Sequence, residues 1–232
     1  MLLAATAAYR YGDRALLGML GARPFALAED PRLRSAVDSV AARLDVRPPH
    51  LFVIDDAFPR LFVVGRGPRS STLAVSTGLL HLLRPEELEA SIAHELAHVR
   101  RRDVLVQTIV VLFAVTLVEA SRIGGWFSRV LLYVFAPVAA AFVNLLLSPK
   151  RELDSDALAS RATGSGHDLA DALLRLESAA QLVDFAASPA TEPLYPFDPF
   201  ENDGLARMFK THPVLAGRVA RLREMPTNGR VL

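Results

Sequence analysis

The stretch SIAHELAHVRRRDV, residues 91–104, places two histidines four positions apart, with a glutamate directly after the first. On a helix, side chains four residues apart project from the same face, so His94 and His98 can reach one ion together. Glu95 would then lie beside that ion, where it can accept a proton from an attacking water. The spacing therefore predicts a hydrolytic zinc site carried on a helix.

Composition limits what else could hold a metal. The 232-residue chain contains no cysteine, which excludes disulfides, thiolate zinc sites and thiol catalysis. Its formal net charge is +1, so nucleic acid is not an expected partner. Hydrophobic residues make up 51% of the chain, more than is usual for a soluble domain. These values indicate a histidine–carboxylate metal site in a chain that contacts lipid.

Short β-rich runs and longer amphipathic segments predict a mainly helical α+β fold with a small sheet. Strands are expected at HLFVID (50–55), RLFVVG (60–65) and TLAVST (72–77). The segment RPEELEASIAHELAHVRRRD (84–103) begins with proline and acidic residues, as a helix N-terminus should. Another helix is expected at SPKRELDSDALASRATG (148–164), opened by its proline.

An apolar segment follows the histidine-bearing helix directly. Residues 104–147 contain only three charged residues, and RIGGWFSR separates two stretches of 18 residues. As a helix each stretch would be about 27 Å long, just enough for a hydrocarbon core of roughly 30 Å. This predicts a two-helix transmembrane hairpin, with a buried hairpin in a soluble protein as the alternative. Because Arg100–Arg102, Lys150 and Arg151 flank the hairpin, the positive-inside tendency places the polar domain in the cytoplasm.

A catalytic zinc takes three protein ligands and one water, so a third ligand has to come from elsewhere. The candidates are the other histidines and the acids after the apolar segment: His50, His81, His167, His212, Glu152 and Asp156. If the two spans leave the bilayer side by side, His98 stands about 9 Å and Glu152 about 7.5 Å above it. This similar height favours Glu152. Asp156, one turn later, would either hold the free N–H of a ligating histidine or be an exposed acid.

Several further motifs occur in the order of a known family. HELAH, the apolar hairpin and RELDSDALA are joined by GARP (21–24), GRGPRSSTLAVSTGLLHLLRPEELEASIAHELAHV (65–99) and THPVLAGRVARL (211–222). This set resembles the HtpX-like membrane zinc endopeptidases, which are relatives of the CAAX prenyl proteases. The resemblance covers most of the chain except the N-terminus and a proline-rich loop. It implies a zincin-like metalloprotease domain with the predicted hairpin inserted in it.

The resemblance also implies the composition of the site. One Zn²⁺ per chain would be held by His94, His98 and Glu152, with Glu95 as the general base. These assignments agree with those made above from helical spacing and from height above the bilayer. Asp156 falls where the family has its second acidic residue.

Two later residues are candidates through the resemblance alone. His212 matches a late histidine that lies near the metal in these enzymes and steadies the oxyanion; an ordinary residue in the first turn of a helix is the alternative. Arg218 fits the arginine that follows this motif, with a structural salt bridge as the alternative.

The expected organisation has three parts. The N-terminal segment (1–29) is expected to be either a short surface anchor or a membrane-proximal remnant of a longer helix, since the family usually has two membrane helices before GARP. Residues 30–103 and 148–232 form the cytoplasmic metalloprotease domain, and residues 104–147 form the inserted transmembrane hairpin. Asp56 stands where the family tends to have asparagine, which leaves substrate preference open.

The resemblance implies a multi-pass protein of the cell inner membrane that cleaves misfolded or damaged membrane proteins at the cytoplasmic face. Its expected partners are protein or peptide substrates and the lipid bilayer. Two alternatives remain at this point. One is a CAAX-type processing protease acting on lipidated substrates. The other is a non-catalytic, zinc-stabilised membrane adaptor.

Overall fold

The structure is a computed structural model that describes residues 2–26, 29–122, 137, 141, 149–182 and 213–226. Its elements follow in the order α1 (Leu2–Met19), β1 (Arg23–Pro24), α2 (Pro31–Arg43), β2 (His50–Ile54), β3 (Leu61–Gly67), β4 (Ser70–Ser76), α3 (Thr77–Leu82), α4 (Pro85–Arg101), α5 (Val104–Arg122), α6 (Pro149–Thr163), α7 (His167–Ala180) and α8 (Leu215–Glu224). The predicted mainly helical α+β class with a small sheet is confirmed.

The sheet has the strand order β1-β2-β4-β3. Strands β2 and β4 run parallel, and the outer pairs β1–β2 and β3–β4 are antiparallel. Strand β4 is therefore internal and β3 lies at an edge. All three strands expected from the sequence are present, each with bounds within two residues of the predicted ones.

Two hydrophobic cores lie on opposite faces of this sheet, because side chains alternate along a strand. Leu61 and Val63 belong to the larger core, which they form with α2, α4 and α7. Phe62 and Val64 belong to a second core with α1 and α5. A strand covered on both faces reads as an unbroken apolar run, which explains the LFVV sequence of β3.

Helix α4 passes through the larger core and carries the HELAH motif. At its start, a Glu87 carboxylate oxygen accepts a hydrogen bond from the Arg84 N–H at 2.8 Å. At its end, Arg102 adopts the left-handed conformation with φ 63°, which turns the chain sharply into α5. Ile92, Leu96 and their apolar neighbours anchor the helix, and this burial fixes the direction of the motif's polar side chains.

Helix α5 covers the first half of the predicted hairpin. One face packs in the second core, while Val106, Ile109 and Phe113 are exposed on another. Within the part of the chain that the structure describes, no helix is both long enough and apolar enough to cross a membrane. The second predicted span lies outside the described residues apart from residues 137 and 141. The transmembrane hairpin therefore stays a prediction.

Helices α6 and α7 pack against α4, and α8 packs against both of them. A Cβ at Gly166 would lie 2.2 Å from the Leu222 carbonyl oxygen, so this close approach requires glycine. The contact keeps α8, which carries Arg218, close to α6.

Candidate active site

Helices α4 and α6 bring together the three residues predicted as metal ligands. The Nε2 atoms of His94 and His98 lie 3.4 Å apart. The two carboxylate oxygens of Glu152 lie 3.4 Å from His94 Nε2 and 3.5 Å from His98 Nε2. Bond lengths of about 2.0–2.1 Å to a tetrahedral ion imply ligand separations of about 3.4 Å, so these residues fit one zinc-sized ion.

Asp156 and Arg218 hold the other side of the His94 ring. His94 Nδ1 lies 2.9 Å from Asp156 Oδ1. Arg218 donates to both oxygens of Asp156, from Nε at 2.9 Å and from Nη2 at 2.8 Å. Both side chains are only 1% exposed, so Asp156 is not an exposed acid. The salt bridge considered for Arg218 exists, and its partner is the carboxylate that contacts a candidate ligand.

The electrostatics of these contacts favour a cation at the paired Nε2 atoms. Burial would raise the pKa of Asp156, but the charge of Arg218 and the contact with His94 lower it to about 2. Burial lowers the pKa of His94, but the carboxylates of Asp156 and Glu152 raise it to about 10. Burial is the main cause that lowers the pKa of His98 to about 4. A metal ion takes the place of a ring proton in such a pocket.

Asp103 and Arg151 form a second carboxylate–arginine pair, which was not predicted from the sequence. His98 Nδ1 lies 3.4 Å from Ser155 Oγ and 3.7 Å from Asp103 Oδ2. Arg151 Nε donates to the same Asp103 oxygen at 3.0 Å. Each candidate histidine therefore has its Nδ1 turned towards a carboxylate that an arginine pairs.

Asp103 approaches the His98 ring because of the turn that ends α4. It directly follows the turn at Arg102, and its N–H donates to the His98 carbonyl at 3.3 Å. A carboxylate five residues after a ligand, just beyond a sharply turned helix end, can thus fold back towards the ring. Arg151 was assigned to membrane topology alone, because its charge lies beside the apolar segment.

Glu95 is buried next to the histidines and is bonded to the sheet. Its Oε2 accepts a hydrogen bond from the Val63 N–H at 3.0 Å. Burial is the main cause that raises its pKa. A carboxylate with a raised pKa is better matched to proton transfer near neutral pH than an ordinary surface glutamate.

The remaining candidates separate into two groups. His50, His81 and His167 are exposed and are not part of the group formed by His94, His98 and Glu152. His212 lies outside the described residues.

A family model described as Peptidase family M48 matches residues 27–226. The chain belongs to peptidase family M48. This confirms the resemblance inferred from the motifs, since the HtpX proteases are among the relatives of this M48 chain.

Two curated relatives and one solved structure illustrate the likeness. The M48 chain is 36% identical to the Protease HtpX homolog of Pelotomaculum thermopropionicum, over 94% of this chain and 84% of that one. It is 38% identical to the Protease HtpX homolog of Acidiphilium cryptum, over 94% and 82%. The crystal structure of S. mikatae Ste24p matches with TM-score 0.54 at 18% identity, covering 95% of this chain and 54% of that chain. The chain thus spans about half of Ste24p, and that likeness concerns the fold alone.

The family assignment settles the class of protein. The chain is a metalloprotease with the M48 zincin-like fold. The family implies a metal ion, and the group formed by His94, His98 and Glu152 could hold it.

Proposed function

We propose that this M48 metalloprotease is a membrane-anchored zinc endopeptidase. It would cleave misfolded or damaged membrane proteins at the cytoplasmic face of the cell inner membrane. The convergence of His94, His98 and Glu152 from two helices is the observation that carries the catalytic part of this proposal. The apolar sequence of residues 104–147 carries the membrane part.

One Zn²⁺ per chain fits the donor set. Two imidazoles and one carboxylate leave a fourth position of a tetrahedral site open, as a catalytic site requires. The separations of 3.4–3.5 Å among their ligand atoms support a single ion. When bound, zinc polarises the scissile carbonyl and lowers the pKa of water beside it.

Glu95 acts in this proposal as the general base. Its carboxylate accepts a proton from the attacking water and later returns it to the leaving amine. In the absence of substrate, the Val63 N–H holds one of its oxygens through a hydrogen bond of 3.0 Å. The raised pKa of Glu95 supports both steps, because the group must take up a proton and then give it away.

The two carboxylate–arginine pairs act as positioning groups. Asp156 contacts Nδ1 of His94, and Asp103 faces Nδ1 of His98. Contacts of this kind fix the ring orientation and the tautomer, so that Nε2 faces the metal. Arg218 in turn holds Asp156 in place.

His212 is proposed to steady the oxyanion that forms as the peptide bond is attacked. This role rests on the match of its THP motif to the family, because the residue lies outside the described part of the chain.

The sheet edge supports binding of an extended peptide. Added strands bind through backbone hydrogen bonds and need little sequence preference, which suits a protease for damaged proteins. Strand β4 has partners on both sides and cannot accept a further strand. Within the described residues, strand β3 has a partner strand, β4, on one side only, and it runs past Glu95, so substrate would pair there.

Metal analysis together with casein cleavage tests this function. Glu95→Gln should retain one zinc per chain and lose cleavage by at least about 100-fold, since general-base catalysis contributes roughly 100- to 10,000-fold. Glu152→Ala should lose both zinc and cleavage. An active Glu95→Gln variant, or full zinc content in Glu152→Ala, would contradict the assigned roles.

Substrate class needs a separate comparison. The wild-type protein in detergent should cleave an unfolded membrane protein faster than a prenylated CAAX peptide. Preference for the prenylated peptide would favour the processing protease instead. Zinc binding without cleavage of either would favour the adaptor.

A further inference from the structure

A basic pocket lies between the β3–β4 hairpin and the start of α5. It has a volume of about 690 Å³, and its lining includes Arg66 and Arg69 from the hairpin, Arg102 from the turn between α4 and α5, and Leu105 from the first turn of α5. None of these residues belongs to the candidate active site. The pocket therefore needs an explanation of its own.

The three arginines of this pocket carry charge that no acid neutralises within the described residues. Arg66 donates a hydrogen bond to Ser70 Oγ at 3.1 Å, which leaves its charge uncompensated. By contrast, the neighbouring Arg101 lies 3.2 Å from a carboxylate oxygen of Asp154. The pocket thus concentrates positive charge from two segments that are far apart in the sequence.

An apolar stripe begins at this pocket and follows α5. Leu105 lines the pocket, and Val106, Ile109 and Phe113 are exposed beyond it, with Phe113 53% exposed. Their spacing of three and four residues places them on one face of the helix. From Val106 to Phe113 the stripe extends about 10 Å along the helix axis.

We infer that the pocket binds the phosphate of an anionic phospholipid, whose acyl chains lie along the α5 stripe. This inference rests on the proposed membrane placement. Guanidinium groups bind phosphate oxygens through paired hydrogen bonds, and the N-terminus of a helix adds favourable partial charge. An acidic soluble peptide would satisfy the arginines but would leave the adjoining apolar stripe exposed.

Lipid titration of the full-length protein in a neutral detergent tests the inference. The probes are dioctanoyl phosphatidylglycerol and, as a zwitterionic comparison, dioctanoyl phosphatidylcholine, with binding read by native mass spectrometry and by the shift in Tm. The wild type should bind the anionic lipid preferentially. Arg66→Gln/Arg69→Gln/Arg102→Gln should weaken that binding on the order of 100-fold, because each basic residue near a lipid surface contributes roughly fivefold.

A matched variant controls for total charge. Arg47→Gln/Arg161→Gln/Arg221→Gln removes three exposed arginines that do not line the pocket, and should keep the preference for phosphatidylglycerol. Equal loss in both triple variants would overturn the inference, as would equal binding of both lipids by the wild type. Inorganic phosphate at the same concentration should give no Tm shift; a shift equal to that of the lipid would assign the pocket to a soluble phosphate instead.

Two further measurements separate this inference from the proposed function. The pocket triple variant should retain one zinc per chain, as the wild type does, since its residues lie outside the group formed by His94, His98 and Glu152. Alkaline extraction of membranes reports anchoring without reference to the pocket. If the wild type cleaves casein and resists alkaline extraction but binds both lipids equally, the pocket assignment alone is overturned.

Discussion

Asp156 and Arg218 are more informative about the site than their ion pair suggests. Bringing two charges into the interior costs solvation free energy that their attraction often only balances, so a buried pair is weak evidence for stability. Here one of the two charges also contacts Nδ1 of His94. The pair therefore has a second effect that can be measured separately, namely the orientation of a metal ligand.

Single and double variants separate these two effects. Arg218→Leu should lower the free energy of unfolding by about 3–5 kcal/mol, because it leaves Asp156 buried and unpaired. Arg218→Leu/Asp156→Leu should recover most of that stability, yet its affinity for zinc, measured by competition with a chelator, should fall about 10- to 100-fold. Wild-type zinc affinity in the double variant would mean that Asp156 only balances Arg218.

At the scale of single elements, the stability of α4 depends on the hydrogen bonds and ion pairs at its N-terminus. The Glu87 side chain is fully buried and binds the Arg84 N–H, with Arg84 and Arg175 supplying opposite charge. Burial would raise the pKa of Glu87, but the hydrogen bonds from these two arginines lower it. The same helix carries His94 two turns later, so its start helps to set the position of the site.

Replacing this glutamate should give a pH-dependent loss of stability. Because the folded pKa of Glu87 lies below its unfolded value of about 4.3, its contribution is present above that pH and is lost as pH falls. At pH 7, Glu87→Gln should cost about 1–3 kcal/mol in urea unfolding, and the difference from wild type should shrink at pH 4. The exposed neighbour Glu86→Gln is the control; an equal cost there, or a pH-independent cost at Glu87, would refute the assignment.

The elements show which parts of this architecture are readable from sequence. The strands and α4 follow from apolar alternation and from helix-start residues, which act within a few positions along the chain. Glu152 was found from its distance to the apolar segment, although 53 residues separate it from His98. Asp103 and the Val63 N–H were not found, because the first depends on a left-handed turn and the second on which strand lies at the edge. Neither property has a local signature in residue type.

At the scale of the whole molecule, α5 belongs both to the core of the metalloprotease domain and to the predicted membrane segment. Its inner face closes the second core against β3, and it begins the segment predicted to enter the membrane. Thr108 connects these roles, since its Oγ1 accepts a hydrogen bond from the Gly65 N–H at 3.0 Å. The protease domain and the predicted hairpin are thus tied through one continuous helix.

The absence of cysteine allows a direct test of the predicted topology. Single variants Gly125→Cys, in the RIGGWFSR segment between the two predicted spans, and Arg161→Cys, on the exposed surface of α6, each introduce the only thiol in the chain. In right-side-out vesicles a membrane-impermeant maleimide should label Gly125→Cys and not Arg161→Cys, because the basic flanks favour the cytoplasmic side. Inside-out vesicles should reverse the result. Labelling of both variants in both preparations would rule out the hairpin.

The bond between Val63 and Glu95 has a consequence for how catalysis would begin. The Val63 N–H points away from β4, in the direction from which a new strand would pair with β3. A peptide docking there must compete for the same N–H, and in doing so it would set the Glu95 carboxylate free. Substrate binding and release of the general base would then occur in one exchange of hydrogen-bond partners. Without substrate, the Glu95 carboxylate stays bonded to the Val63 N–H.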